Sequence, residues 1–339
     1  MKKIIRENQS PNRPVIPLFF AVDDSYSPCL AVALASIADH ANPDYEYRIS
    51  ILTETLSFSN RKKLSALQTD CVRIDFVSVK KKMQENGQMF HLRDYYSKAT
   101  YYRFFIPDLF PQYDKGLYLD CDMVFLADVS KLYSQPLGSN YVGAVVDDVM
   151  LKYPIFGKYT EEVLDIPATE YFSAGVLVMN LKKMREIYLE ERFVQLLKER
   201  TFRLTQDQDY LNVLCRNRVK FLSPDWNRAS FPDADPQNPG FGVHYKMNWK
   251  PWHYSKVSYD GYFWKYAEQT PFFNHLKKCL KNYSSAEKER DTVGYERLVD
   301  LAKEEIQMAR RMKTARFEED SLSDFGAFGT DIPMECEVK

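Results

Sequence analysis

Short apolar runs alternate with helical stretches along the first third of the chain, and that order constrains the fold more than any other feature. Val15 to Ala21 reads as a buried strand that stops at Asp23-Asp24-Ser25. Ser27-Pro28 follows as helix N-cap and first helical residue, and Leu30 to Ala38 is nearly all apolar, so this helix packs closely on a sheet. Asn42-Pro43 ends it. Tyr47, Ile49 and Ile51 alternate with polar residues, as do Val72, Ile74 and Phe76, and a polar helix from Ser59 to Leu67 separates these two strands. Strand–helix–strand–helix–strand in this order implies parallel pairing with crossover helices, hence an α/β doubly wound half. Ligands of such sheets bind beyond the carboxyl ends of the strands, and Asp23-Asp24-Ser25 occupies one such place.

A second such place is richer in chemistry. Gly116-Leu117-Tyr118-Leu119 runs into Asp120-Cys121-Asp122 and resumes as Met123-Val124-Phe125-Leu126, so two carboxylates interrupt an otherwise apolar strand. In an extended segment residues i and i+2 point the same way, which lets Asp120 and Asp122 converge on one cation while Cys121 turns to the core. Burying two carboxylates without a partner is costly, and a divalent ion removes that cost. Oxygen donors favour Mg²⁺ or Mn²⁺, and an added imidazole tilts the choice toward Mn²⁺. Asp-x-Asp alone is weak evidence, because solvated aspartate pairs at strand ends are common. Support comes from His244-Tyr245-Lys246-Met247-Asn248-Trp249-Lys250-Pro251-Trp252, a loop-like aromatic stretch holding a histidine and a lysine. A neutral imidazole can complete a metal shell, and an ammonium can meet a phosphate. The plain alternatives are a hydrogen-bonded core histidine and a surface lysine. Ala174 to Met179 reads as another apolar strand and Asp207 to Cys215 as a helix, at whose start Asp207 would also suit the macrodipole.

Composition narrows the function classes. The 339 residues suffice for two average domains or one large α/β domain with an appendage. A formal net charge of −1 gives no global field toward nucleic acid, and no nucleic-acid partner is expected. The six cysteines are scattered, which argues against a disulfide framework or structural zinc and fits a reducing compartment. The opening MKKIIRENQSPNRP has lysines but no apolar stretch, and no run approaches the ~20 apolar residues that span a bilayer. A cytoplasmic protein is expected. The division expected is a flexible leader over 1–14, an α/β domain over 15–260, C-terminal helices over 261–317 and a disordered acidic tail over 318–339. Tyr295, Leu298, Ala302, Ile306 and Ala309 form a helical apolar stripe, expected to dock on the α/β domain or on a second subunit as a homodimer. Basic residues on the same helix, Lys303, Arg310 and Arg311 among them, offer the alternative of peripheral contact with anionic lipid at the inner face of a membrane. Glu304, Glu305 and the acidic tail count against that.

Five segments, FFAVDDSY, LYLDCD, YFSAGVLVMNL, QDQDYLN and HYKMNWKPWH, run in this order over roughly Pro17 to His253. Together they resemble family 8 of the glycosyltransferases, which includes bacterial lipopolysaccharide galactosyl- and glucosyltransferases and the glycogenins. Five ordered motifs are far more specific than any one of them. The resemblance implies an α/β fold of the GT-A type, a Rossmann-like nucleotide-sugar-binding domain with a mixed sheet, to which the stripe of residues 295–309 adds a C-terminal helical appendage. It also implies UDP-glucose or UDP-galactose as donor, Mn²⁺ as cofactor with Mg²⁺ as the alternative, and retention of the anomeric configuration. The acceptor it implies is a saccharide or glycolipid hydroxyl in bacterial surface polysaccharide or lipopolysaccharide synthesis.

Roles carry over by motif position. Asp120, Asp122 and His244 resemble the Mn²⁺ ligands. Asp23 resembles the carboxylate that reads uracil, with Ala21 and Ser25 beside it, and Cys121 and Ser173 fall in the donor-binding stretches. Lys250 resembles the lysine that holds the diphosphate. Arg103, in TYYRF, resembles the arginine near the donor sugar, and Asp207 and Gln208 the pair lining the reacting sugar. Two positions depart from the pattern. Ser173 stands where members often have Asn in FNAG, which alters one sugar-hydroxyl contact. Met247 takes a position usually filled by glycine, where glycine would let backbone approach the phosphates closely.

Breaking the anomeric bond develops negative charge on UDP, met by the metal and Lys250, and positive charge on the sugar. Retention by double displacement needs a carboxylate nucleophile, for which Asp207 is the motif candidate and Gln208 a poor one. Front-face attack with the leaving phosphate as base is the favoured route. The departures at Ser173 and Met247 keep open a UDP-sugar-binding protein without transfer activity. The 23 tyrosines keep open a self-glucosylating, glycogenin-like enzyme.

Overall fold

The apolar run Val15–Ala21 (β1) lies inside a seven-stranded sheet. A computed structural model describes residues 13–92 and 97–326, with side chains as far as residue 314. The strands that follow are Glu46–Thr53 (β2), Val72–Ser78 (β3), Gly116–Leu119 (β4), Met123–Phe125 (β5), Val142–Val146 (β6) and Phe172–Met179 (β7). Val219–Phe221 (β8), Arg228–Ala229 (β9) and Gly242–His244 (β10) complete them. The large sheet has the order β3-β2-β1-β4-β7-β6-β8, and β5-β10-β9 form a small second sheet. β1 to β4 run parallel, as the strand–helix alternation requires, with Leu18 opposite Ile49. β7 is antiparallel to both β4 and β6, so the sheet is mixed, as expected.

Alternation along β1 explains why both faces of the sheet are covered. Ile16, Leu18 and Phe20 pack in one core with the helix Ser27–His40, and Phe19 and Ala21 pack in the other with the 3₁₀ segment Lys98–Phe105. The first helix differs from expectation at its start. Ser27 already lies inside it, Tyr26 holds the N-cap position without a side-chain cap, and Asp23 takes over by accepting from the N–H groups of Ser25 and Tyr26.

Asp120-Cys121-Asp122 does not interrupt one strand. The chain leaves the large sheet at Leu119 and enters the small sheet at Met123, so the two carboxylates stand where the sheets meet. Three anchors fix this crossing. The Asp120 N–H donates to the Gly175 carbonyl (2.8 Å), the Tyr245 N–H donates to the Asp122 carbonyl (3.0 Å), and the Cys121 thiol donates to the Ala21 carbonyl (3.2 Å). β7, β10 and β1 are thereby tied to one tripeptide.

Two helices, Asp260–Ala267 and Phe273–Asn282, pack on Ser27–His40, and the long helix Ser285–Gly326 packs on Pro154–Glu162. The stripe read from the sequence is the packed face, with Ala302 and Ile306 buried. Residues 318–326, the first part of the expected tail, continue this helix; 327–339 and residues 1–12 of the leader lie outside the described residues. Among the described residues no helix is long and apolar enough to cross a membrane.

Candidate active site

A cavity of about 210 Å³ opens where the two sheets meet, and every candidate residue named from the sequence lines it except Ser25. Ser25 is exposed and donates both its N–H (3.0 Å) and its hydroxyl (2.5 Å) to Asp23 Oδ1, so it shapes the turn that presents Asp23. Ala21 and Asp23 stand at the end of β1, and Cys121 is held there by its bond to Ala21.

Antiparallel pairing of β10 with β5 sets His244 opposite Met123, one residue from Asp122. His244 Nε2 lies 3.1 Å from Asp122 Oδ1 and 3.9 Å from Asp120 Oδ2, and one donor atom from each of the three falls within 4.8 Å of the others. Asn227 Oδ1 lies 2.8 Å from His244 Nδ1. That contact fixes the ring so that Nε2 is aimed at the two carboxylates. Two carboxylates brought within 4.8 Å of each other repel, and a cation between them relieves that. Adjacent ligands of an octahedral ion with ~2.1 Å bonds are about 3 Å apart, close to the imidazole–Asp122 separation. The residues therefore fit a divalent cation. Asp122 feels desolvation that raises its pKa, yet Lys250 and then His244 outweigh it and hold the carboxyl well below its usual range.

Two residues outside the sequence reading build this triad. Asn227 fixes the imidazole. Gly175, in β7, leaves the space into which His244 and Asp120 approach: a Cβ there would sit 2.5 Å from His244 Cε1 and 2.8 Å from Asp120 Oδ2. The glycine inside the apolar run YFSAGVLVM was the available signal, since a glycine within a strand often marks close approach of other groups. Nothing in the sequence around Asn227 sets it apart.

Lys250 is 4% exposed, and its ammonium bonds Asp122 Oδ2 and the Tyr245 carbonyl (2.5 Å), placing a second positive charge beside the triad. Met247, which precedes it in the same loop, has φ +51°, so the chain keeps a backbone conformation that glycine adopts freely, at a cost of about 1–2 kcal/mol for methionine.

Arg103 crosses the other side of the cavity, 3% exposed and stacked over Tyr118 (4.2 Å). Its guanidinium bonds the Ala174 carbonyl and Asp120 Oδ1 (3.1 Å) and pairs with Asp207 Oδ2 (3.1 Å). Thr100 donates its hydroxyl to Asp207 Oδ1, so both carboxylate oxygens of Asp207 are engaged. Burial pushes the Asp207 carboxyl up to about 6, against Arg103 and Thr100. Gln208 is fixed as well: Oε1 accepts from the Ala174 N–H (2.9 Å), and Nε2 donates to Asp147 Oδ2 (3.3 Å). Asp209 and Asn212 of the same motif hold the fold. Asp209 accepts from the hydroxyls of Tyr159 (2.8 Å) and Tyr171 (2.7 Å), and Asn212 brackets Phe172 with bonds to its N–H and carbonyl. Ser173 is buried at the cavity wall between these contacts.

Asp147 and Lys246 also line the cavity. Buried Lys246 reaches Asp148 Oδ1 (2.7 Å), and burial, which would lower its pKa, is outweighed by Asp148 and Asp147, so it stays charged. Both had readable signals. Asp147-Asp148 follows an apolar strand just as Asp23-Asp24 does, and Lys246 stands two residues from His244.

Residues 17–256 match the model of glycosyl transferase family 8. A lipopolysaccharide 1,2-glucosyltransferase of Escherichia coli (strain K12) is 28% identical over 275 residues, covering 73% of this chain and 78% of that protein. The solved structure of the galactosyltransferase LgtC, in complex with donor and acceptor sugar analogs, superposes with a TM-score of 0.63 at 27% identity, covering 76% of this chain and 96% of that one. The apo structure of WbbM, a bifunctional glycosyltransferase, gives 0.69 at 29% identity over 79% of this chain, which spans 52% of WbbM. The chain belongs to glycosyl transferase family 8. It is a glycosyltransferase with the GT-A fold, as the five motifs implied, and with a helical C-terminal region, as the apolar stripe implied.

Proposed function

We propose that the chain transfers glucose or galactose from the UDP-sugar to a saccharide or glycolipid hydroxyl, with retention and with Mn²⁺, in the synthesis of bacterial surface polysaccharide or lipopolysaccharide. One observation carries the reading: Asp120, Asp122 and His244 converge from two sheets in the cavity that Arg103, Asp207 and Gln208 also line. The glucosyl and galactosyl transfer named for two relatives supports a hexose donor.

A divalent ion held by Asp120, Asp122 and His244 would supply Lewis acidity to the leaving diphosphate. Lys250, on Asp122, adds a preorganised positive charge for the phosphate oxygens. Asp23 at the end of β1 addresses the uracil edge. Arg103 bridges Asp120 and Asp207, and so links the metal side of the cavity to the sugar side. Asp207 has both oxygens engaged, which disfavours it as a covalent nucleophile and supports the front-face route, in which it lends negative charge near the developing oxocarbenium.

A panel of UDP-sugars with Mn²⁺, monitored for UDP release, tests the reading. UDP-glucose or UDP-galactose is expected to give Mn²⁺-dependent release that Asp122→Ala, still folded, loses by at least about 100-fold. Full activity in that variant would remove the metal assignment. Nucleotide binding without release from any donor, across a broad acceptor panel, would remove the transferase assignment.

A further inference from the structure

The long helix Ser285–Gly326 meets the active site at two points. Leu298 lines the cavity. Earlier in the helix, Asp291 meets the loop that carries Lys250. Asp291 Oδ2 accepts from the hydroxyls of Tyr254 (2.8 Å) and Tyr283 (2.8 Å), and its backbone carbonyl accepts from Asn248 Nδ2 (2.9 Å). Burial and then Asp291 push both tyrosine hydroxyls up, so both remain donors. His253, next to Tyr254, stacks on the Tyr283 ring with centroids 3.9 Å apart and planes 6° from parallel.

Asn248 and Tyr254 bracket Lys250 in sequence and in space. The Lys250 N–H donates to the Asn248 carbonyl (2.8 Å), and the N–H groups of His253 and Tyr254 donate to the Lys250 carbonyl (2.9 Å each). The sheet ends at His244, so beyond it the segment depends on such turns and on side-chain anchors for its place. One residue on a distant helix thus holds both ends of the turn from which the ammonium reaches Asp122, Tyr254 through its carboxylate and Asn248 through its backbone carbonyl. Hydroxyl-to-carboxylate bonds are charge-assisted and among the stronger anchors available.

We infer that Asp291 is a positioning residue that latches the Asn248–Tyr254 turn, fixing Lys250 beside Asp122 and making the C-terminal helix a working part of the transferase site. Its kinetic consequence rests on the role proposed above for Lys250; its structural consequence does not.

Full-length Asp291→Ala and Asp291→Asn, compared with the unaltered chain, test the latch by hydrogen exchange and by Mn²⁺-dependent UDP release. Asp291→Ala is expected to speed exchange at the amides of Lys250, His253 and Tyr254 about tenfold or more, leaving those of β5 and β10 unchanged. It is expected to lower kcat about tenfold with little change in donor KM, and Asp291→Asn, whose carbonyl oxygen still accepts, to recover most of that. In a Lys250→Ala background the Asp291→Ala change should remove no further activity, because both act through one ammonium. Unchanged exchange in the turn, or additive losses in the cycle, would overturn the latch. Failure of the unaltered chain to release UDP would instead refute the transferase reading, and the exchange measurement would still decide the latch.

Discussion

At the scale of single residues, the site depends as much on a missing side chain as on those present. Gly175 faces an imidazole fixed by Asn227 and a carboxylate fixed by Arg103, so neither can give way to a methyl group. Gly175→Ala is expected to weaken Mn²⁺ binding by about 10–100-fold in calorimetry, with an unchanged far-UV spectrum. Binding of undiminished strength would mean that the ion does not join His244 to Asp120. The motifs made the candidate ligands legible, because a carboxylate pair at a strand end and a histidine in an aromatic loop carry their chemistry in their type. Gly175 and Asn227 were not assigned, because their importance lies in which distant groups approach them. Asp207 gives a second residue-scale prediction. With its carboxyl at about 6, the folded chain keeps a proton between pH 4 and 6 that the unfolded chain has released, so this group lowers stability as pH rises through that window. A shift of about 2 pKa units corresponds to about 3 kcal/mol. Denaturant unfolding should show the unaltered chain losing roughly that much relative to Asp207→Asn between pH 4 and 6.5. A constant difference across that range would place the Asp207 carboxyl near its ordinary value.

At the scale of elements, the strands and helices of the parallel half were legible because their periodicity is local, and Val15–Ala21 coincides with the run read from the sequence. The break of LYLDCDMVF into two strands of different sheets was not, since both pieces are apolar and nothing local says that the second pairs with β10. The antiparallel direction of β7 was equally hidden, because pairing direction is set by the path of the connection. The C-terminal helix was legible as a stripe, and its docking separates two kinds of contact. Ile306 is buried against the α/β body, whereas the Arg310 guanidinium holds Glu162 at 2.6 Å through two bonds in the open. Ile306→Ala is expected to destabilise the chain by about 2–4 kcal/mol in chemical denaturation. Glu162→Gln should leave the unfolding midpoint unmoved, since an exposed pair gains little over its solvated parts. A larger effect from Glu162→Gln than from Ile306→Ala would show that charge, not the apolar stripe, seats the helix.

At the scale of the whole molecule, the candidate site is a junction, and its residues come from segments far apart in sequence. The β4–β5 crossing gives Asp120 and Asp122, β10 gives His244, and the loop beyond it gives Lys250. Only the ordered set of five motifs could announce that these segments meet. A ligand that occupies the junction binds residues of both sheets at once, and such a site is absent from the unfolded chain. Binding then adds RT ln(1 + [L]/Kd) to stability, about 2.7 kcal/mol at a hundredfold excess, which for a chain of this size raises the midpoint by roughly 4 °C. On the proposed function, UDP alone would bring its diphosphate toward Asp120 and Asp122 without a cation between them, so like charges would meet. Mn²⁺ and UDP together are therefore expected to raise the thermal midpoint by several degrees, well beyond the sum of their separate effects. The excess should vanish in Asp122→Asn, in which one anionic ligand is neutralised. An equal rise with UDP in the presence of a chelator would show that the nucleotide is held by the protein's own cations, Lys250 and Arg103, and that the carboxylate pair serves the fold instead of the ion.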